Sequence, residues 1–425
     1  MSIGIILALF FVFVLLGVPI AFAIGIVSVL YIIDSGLPLL VVGQRMVAGA
    51  DSFPLLAAPL FLLAGTIMSY GGITRRLVRL ANAIVGHITG GLAQVNVFSS
   101  LLLSGMSGSA TADASGLGSM IIPAMQKAGY APRLSAAVTA ASATIGPIIP
   151  PSVPFVIYGA MAQVSIGKLF VGGIIPGLLM TLFLMVTIYL TCRQHGYRTH
   201  DRLDFSELRA AFKASLLDLM LPLVIIGGIL GGVFTPIEAA AVAVVYAATI
   251  ELLIFREIGM RDIPEIVITA VRLTAIIMFV IAVSNIFGWI LIREGAGKLL
   301  VDFMLGISND VIVLRLLLVA LLILLGLFIE TIVLIVLVVP LLTALSPHLA
   351  MDPVHLGVTV VLSIMIGLIT PPLGLCMFIV NSIAGIGMGE YTRTIMPYLA
   401  ALVICAVLVA LVPPLTTWLP TAMMN

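Results

Sequence analysis

Long apolar runs separated by short charged clusters set the pattern of this chain. Positions 1–33, 80–112, 134–167, 354–389 and 394–425 contain no Asp, Glu, Lys or Arg. Each run exceeds the roughly 20 apolar residues that carry an α-helix across a bilayer. The pattern predicts helices over 3–16, 19–33, 55–70, 91–103, 110–125, 132–163 and 169–192. A second set follows over 216–230, 236–254, 274–292, 311–325, 331–345, 353–384 and 391–411. Of 425 residues, 62% are apolar and 9% charged, against about 45–50% and 25% in soluble proteins. A soluble core cannot absorb that excess, so a cytosolic enzyme is excluded and an all-α polytopic membrane protein is expected. The stretch 2–17 lacks the basic start of a cleaved signal and reads as a retained first helix.

The prolines carry a repeat. A shift of 217 residues lays Pro19 on Pro236 and Pro123 on Pro340. A shift of 221 lays Pro132 on Pro353, Pro150 and Pro151 on Pro371 and Pro372, and Pro176 on Pro397. Six of the eleven prolines before position 200 find a partner, where chance would align fewer than one, and such self-similarity is the mark of internal repetition. The first copy spans 1–195, with scaffold helices in 1–85, a hairpin in 88–126, a broken helix in 131–163 and a closing helix in 169–192. A linker at 196–211 leads to the second copy, 212–425. Its scaffold helices lie in 212–292, its hairpin in 309–345, its broken helix in 353–384 and its closing helix in 390–412. The connection from Ser104 to Ser109 is short, small and uncharged, without a headgroup anchor, so the hairpin reads as re-entrant. Five crossings remain in each copy, and an odd number inverts the second copy relative to the first.

With the N-terminus outside, fourteen basic residues fall inside, among them Arg75, Arg76, Arg79 and those of the 193–213 linker run. Five stay outside: Arg45, Lys168, Arg293, Lys298 and Arg315. That is the bias of the positive-inside rule, and it puts both termini on the outer face. A net charge of +1 offers no footprint for nucleic acid. Cys192, Cys376 and Cys405 lie too far apart in sequence for a metal motif and read as small hydrophobes. Thr235-Pro236-Ile237-Glu238 has the spacing of a capping box, which makes Glu238 a helix cap.

Chemistry is expected at the two helix breaks, 144–152 and 367–374. Consecutive prolines remove backbone donors there and open the helix. The carbonyls around 146–149 and 367–370 are then expected to lack partners, at a few kcal/mol each, unless a cation replaces the lost bonds. Oxygen ligands without thiolate or imidazole suit Na⁺. The first hairpin tip adds the hydroxyls of Ser104 and Ser107, and the second the main-chain oxygen of Gly326. The helix starting after each tip points its N–H groups into the same space, which favours a carboxylate substrate. Ser109, Thr111, Ser142 and Asn381 are its candidate hydrogen-bonding partners. Asp113 and Glu330 each lie just after a tip, where an acid can simply neutralise a helix dipole. Their recurrence at membrane depth is read instead as ion coupling or gating.

With these tips and breaks in place, the chain resembles the large membrane subunit of tripartite ATP-independent periplasmic (TRAP) transporters, over essentially its whole length. The resemblance implies the elevator fold of the ion-transporter superfamily. It also implies a Na⁺-driven importer of organic acids, such as sialic acid or C4-dicarboxylates, in the bacterial inner membrane. Two Na⁺ sites are implied, one using Ser104, Ser107, Gly146, Ile149 and Pro151, the other Gly326, Gly367, Thr370 and Leu373. The implied partners are a separate small four-helix membrane subunit and a periplasmic substrate-binding protein. The alternative is a stand-alone divalent-anion/Na⁺ symporter that needs no binding protein. An intramembrane enzyme would require a catalytic His or Asp pair at depth, which the sequence does not offer.

Overall fold

A computed structural model describes residues 2–197 and 203–424, and every regular element among them is helical. The first half opens with Ile3–Leu15, Ile20–Asp34, Leu40–Ala50, a 3₁₀ turn Phe53–Leu56 running into Ala57–Tyr70, and Ile73–Val85. A hairpin follows, Gly91–Ser107 and Ala110–Lys127, then the paired arms Pro132–Ala143 and Val153–Ala162, then Ile166–Gln194. The second half opens with Phe205–Leu230, Pro236–Thr249 ending in a π turn Ile250–Ile254, Ile263–Arg293 and Ala296–Ile307. Its hairpin is Val311–Gly326 and Thr331–Leu349, its paired arms Pro353–Gly367 and Leu375–Ala384, and Met388–Leu411 and Pro414–Met423 finish the chain. Six helical stretches among the described residues are long and apolar enough to cross a membrane.

Most helix starts have a local cause. Asp204, Asp310, Glu330 and Asp352 each accept hydrogen bonds from the first free N–H groups of the helix behind them, satisfying donors that have no partner within the helix. Thr235 and Glu238 form the expected capping box, with Thr235 N–H donating to Glu238 Oε2 at 2.8 Å. Six elements depart from the sequence reading. Phe205–Leu230 starts eleven residues earlier than its apolar stretch, because the Asp204 cap launches it and Glu207, Arg209 and Lys213 ride on it; half of the supposed linker is therefore helix. Ile263–Arg293 likewise starts before its apolar stretch, carrying Glu265 and Arg272 as helical residues. Leu40–Ala50, Ile73–Val85, Ala296–Ile307 and Pro414–Met423 lie outside the helices expected from the apolar pattern.

The core sits on the four arms. Leu134–Ala143, Val153–Ala160 and Val354–Gly367 are continuously buried, and a helix buried on every side must be wrapped by other helices. The wrapping is reciprocal. Arm 132–143 packs on arm 375–384, and arm 353–367 on arm 153–162. Hairpin arm 110–127 packs on 375–384, while 331–349 packs on 153–162. Around this block stand Ile20–Asp34, Ala57–Tyr70, Phe205–Leu230, Pro236–Thr249 and Ile263–Arg293, which pack mainly on one another. Phe22, Val245, Leu223 and Ile268 on this outer set are exposed, as a lipid-facing surface requires.

Candidate functional site at the hairpin tips and helix breaks

Each hairpin ends against the middle of its own half's paired arms. At the first tip, a side chain added to Gly105 would stand 2.6 Å from Pro222 Cγ and 3.4 Å from Pro150 O. One added to Gly108, where φ is +57°, would meet Val153 N at 3.3 Å. Glycine is required here both for the left-handed turn and for the close approach. Gly105, Gly108 and Pro151 share a cavity of about 10 Å³ with Phe61, Leu221 and Ala243 of the outer helices. The tip is thus sealed against both the break and the surrounding scaffold.

The second tip meets its break backbone to backbone. A Cβ on Gly326 would lie 2.8 Å from Ile364 O, and one on Gly367 would lie 2.6 Å from Gly326 Cα. Only hydrogen fits between these two chains. Beyond that contact the break is open: Leu373 is 41% exposed and Phe328 at the tip 46%. Both breaks contain a cis peptide, Pro150–Pro151 and Pro371–Pro372.

The acids divide in role. Asp113 is buried on the first turn and a half of Ala110–Lys127 and presses Oδ2 against Gly146, where any Cβ would collide with it. Glu330 is the N-cap of Thr331–Leu349, accepting from Ile332 N at 2.9 Å and Val333 N at 3.4 Å. Its capping role is therefore present, whatever else it does.

The break carbonyls are better satisfied than expected. Pro147 O accepts the Ser152 hydroxyl, which also caps Val153–Ala162. Gly367 O accepts Thr370 N at 3.0 Å, Thr370 O accepts Gly374 N at 3.1 Å, and Leu368 O accepts Cys376 N at 3.1 Å. Ile369 O accepts Tyr391 Oη–H at 3.0 Å from the closing helix. Short turns and a buried phenol supply donors that the reading of the prolines alone did not foresee. No described residue donates to the carbonyl oxygens of Gly146, Ile149 or Pro151. A carbonyl in a turn still has its second lone pair, so both breaks retain oxygen for a cation.

The candidate hydroxyls are mostly engaged locally. Ser104 donates to Leu101 O, Thr370 to Ile366 O at 2.8 Å, and Ser109 shares a 3.1 Å hydrogen bond with Thr111 while capping Ala112 N. The Ser107 side chain lies outside the described residues. Ser142 belongs to a buried network, donating to Asn96 Oδ1 at 3.2 Å, while Asn96 donates to Thr139 at 2.6 Å; this joins hairpin to arm. Asn381 is different. It is 6% exposed, and neither its amide nitrogen nor its oxygen has a hydrogen-bond partner among the described residues, a cost of about 1–3 kcal/mol per group. Its helix packs on both 132–143 and 110–127, the second arm of the first hairpin.

Fold and site together define a multi-pass helical membrane protein built on two hairpin-and-break pairs. The chain belongs to the DctM component family of tripartite ATP-independent periplasmic transporters, whose family model matches residues 7–415. It is 42% identical over 405 residues to the sialic acid TRAP transporter large permease protein SiaM of Vibrio cholerae, covering 95% of each chain. It is 37% identical to the C4-dicarboxylate TRAP transporter large permease protein DctM of Pseudomonas aeruginosa, covering 87% of each. Among solved structures, the YdaH transporter of Alcanivorax borkumensis shares the fold, with a TM-score of 0.63 at 17% identity over 87% of this chain and 86% of that one. The chain is a transporter permease and not an enzyme.

Proposed function

We propose that this permease imports an organic acid by Na⁺-coupled, elevator-type movement, receiving the acid from a periplasmic binding protein and working with a small four-helix membrane subunit. Sialic acid and C4-dicarboxylates, the substrates in the names of its relatives, define the substrate class. The observation that carries the reading is the pairing of each hairpin tip with a proline-opened helix at mid-length. Secondary transporters place their ion and substrate sites at such discontinuous helices. The reciprocal packing of the two halves supports reading 1–195 and 212–425 as inverted copies, with re-entrant hairpins that stop at the breaks.

Residues present at both pairs fit Na⁺. At the first, the carbonyls of Gly146, Ile149 and Pro151 join the Ser104 and Ser107 hydroxyls. At the second, Gly326, Gly367, Thr370 and Leu373 offer main-chain oxygens and one hydroxyl. Asp113, against Gly146, stabilises the first ion from behind the break, and Glu330 acts on the second through the helix it caps. The substrate carboxylate lies between the tips, where Ser109, Thr111, Asn381 and the helix N-termini supply donors. Ser142 acts through its packing network. Hairpins and paired arms move as one block against the outer helices. Each Na⁺ descending 100 mV releases about 2.3 kcal/mol. Two Na⁺ moving with one monoanion would concentrate it about 40-fold on voltage alone, at 1.4 kcal/mol per tenfold. The bacterial inner membrane, with both termini periplasmic, is the location this mechanism needs.

Reconstitution in liposomes tests the proposal. Uptake of labelled sialic acid or succinate should saturate, require a Na⁺ gradient, and appear only when the small subunit and binding protein are present. Thr370→Ala should raise the half-saturating Na⁺ concentration several-fold. Uptake by the chain alone would favour the stand-alone symporter, and Na⁺-independent uptake would remove the coupling.

A further inference from the structure

Outside the tips and breaks, the least ordinary cluster lies at the end of the long helix Ile263–Arg293. The guanidinium of Arg45, from Leu40–Ala50, lies 4.9 Å from the ring centroid of Trp289, and that of Arg293 lies 5.4 Å from the same ring. Two cations therefore share one indole. Among the described residues, no carboxylate forms an ion pair with either, and the adjacent Glu294 accepts the Tyr31 hydroxyl through Oε1. Cation–π attraction holds each arginine on the ring, and among the described residues neither guanidinium gives its N–H donors to a carboxylate.

Below this pair, between the long helix and Ile20–Asp34, runs an apolar groove of about 330 Å³ lined by Phe22, Gly25, Ile26, Val29, Leu30 and Phe279, and the Tyr31–Glu294 hydrogen bond sets the upper end of Ile20–Asp34 beside Arg293. Five of these six residues follow one face of Ile20–Asp34, so the groove is a channel along the helix. Phe22 closes on Phe279 at its deep end, with ring centroids 5.4 Å apart. From Phe279 to Trp289 the helix rises about 15 Å at 1.5 Å per residue. That is the depth of one leaflet in a hydrocarbon core about 30 Å thick. A tryptophan at the upper end is where the interfacial aromatic belt would put one.

We propose that this is a phospholipid site, with the phosphodiester held between Arg45 and Arg293 and one acyl chain laid along the Phe22–Phe279 groove. Two planar guanidiniums held on one indole, neither of them ion-paired among the described residues, match a phosphate oxygen pair. The groove beneath them matches the apolar chain that a lipid phosphate brings with it, at the depth where that chain must lie. The site depends only on the membrane setting of these helices and is independent of Na⁺ coupling.

The test uses the full chain, with its small subunit where that co-purifies. Native mass spectrometry in the presence of phosphatidylglycerol should show a retained lipid, and Arg45→Gln combined with Arg293→Gln should weaken retention at least about tenfold. Gly25→Leu, whose added Cβ meets only Val283 at an ordinary 3.7 Å, should weaken it by blocking the groove while leaving both arginines in place. Dioleoylglycerol, which has the chains but no phosphate, should not replace the phospholipid. A photocrosslinker at position 26 should label lipid. Equal retention by the wild type and both variants, equal binding of dioleoylglycerol, or labelling of the partner subunit in place of lipid would each overturn the proposal.

Discussion

At the scale of single residues, the contact between Asp113 and Gly146 is the sharpest constraint in the site. The carboxylate occupies the space where a side chain would stand, so Gly146→Ala must displace either the acid or the break. Overpacking of this kind costs about 1–3 kcal/mol. The single variant should melt lower and lose uptake, and Gly146→Ala with Asp113→Ala should regain the melting temperature without regaining uptake. Recovery of both would reduce Asp113 to a packing residue. Asn381 makes the opposite forecast. Its buried amide has no partner among the described residues, so replacement by an apolar residue of similar shape removes an unmet cost. Asn381→Leu should therefore melt as high as the wild type or higher while uptake falls, chiefly through a raised KM for the substrate. Lower stability with unchanged KM would place its partners within the protein.

At the scale of elements, the halves are tied together on the outer helices by Arg76. From Ile73–Val85 it reaches Asp218 of Phe205–Leu230 at 2.7 Å, Glu251 at the end of the next helix at 2.7 Å, and Glu257 beyond it. Its guanidinium also covers the Phe255 ring at 3.7 Å. Asp218 and Glu251 are fully buried, so Arg76→Ala leaves two carboxylates without a counter-ion, a loss of about 3–5 kcal/mol. Arg76→Lys should recover only part of the melting temperature, because an ammonium cannot serve three carboxylates through a planar fork. The sequence did not reveal this clamp, since its partners lie 142 to 181 residues away and only tertiary approach joins them. What the sequence did show was local. The paired prolines marked both breaks, and the apolar runs located the hairpin arms to within a few residues. Helix ends carrying charge were misplaced, as with Glu265 and Arg272, because a helix leaving the membrane keeps its geometry after its apolar pattern stops. Ser152 and Tyr391 were missed as partners of the break carbonyls for a related reason: proline shows where bonds are lost, but not which donors fold back to replace them.

At the scale of the whole molecule, the two tips are unequally covered. The first is packed on Phe61, Leu221 and Ala243 of the outer helices, whereas Leu373 and Phe328 at the second are exposed. A block that slides against its scaffold must exchange these conditions during each cycle, since both tips cannot be sealed while substrate enters. The seam at the first tip is then the one to lock. In a background with Cys192, Cys376 and Cys405 replaced, cysteines at Val153 and Ala243, which face the same small cavity, should be bridged by a mercuric ion. The bridged protein should stop uptake, and excess dithiothreitol, which takes the mercuric ion from the two thiolates by ligand exchange, should restore it. A cysteine at Leu373 should react with a membrane-impermeant thiol reagent in the bridged state at least as fast as in the free one, because the lock holds the second break open. During turnover with Na⁺ and substrate, unbridged protein should protect Leu373→Cys part of the time and slow its labelling. Continued uptake after complete bridging would show that the block and the outer helices do not move against each other at this seam, and the transport cycle would have to be sought within the hairpins themselves.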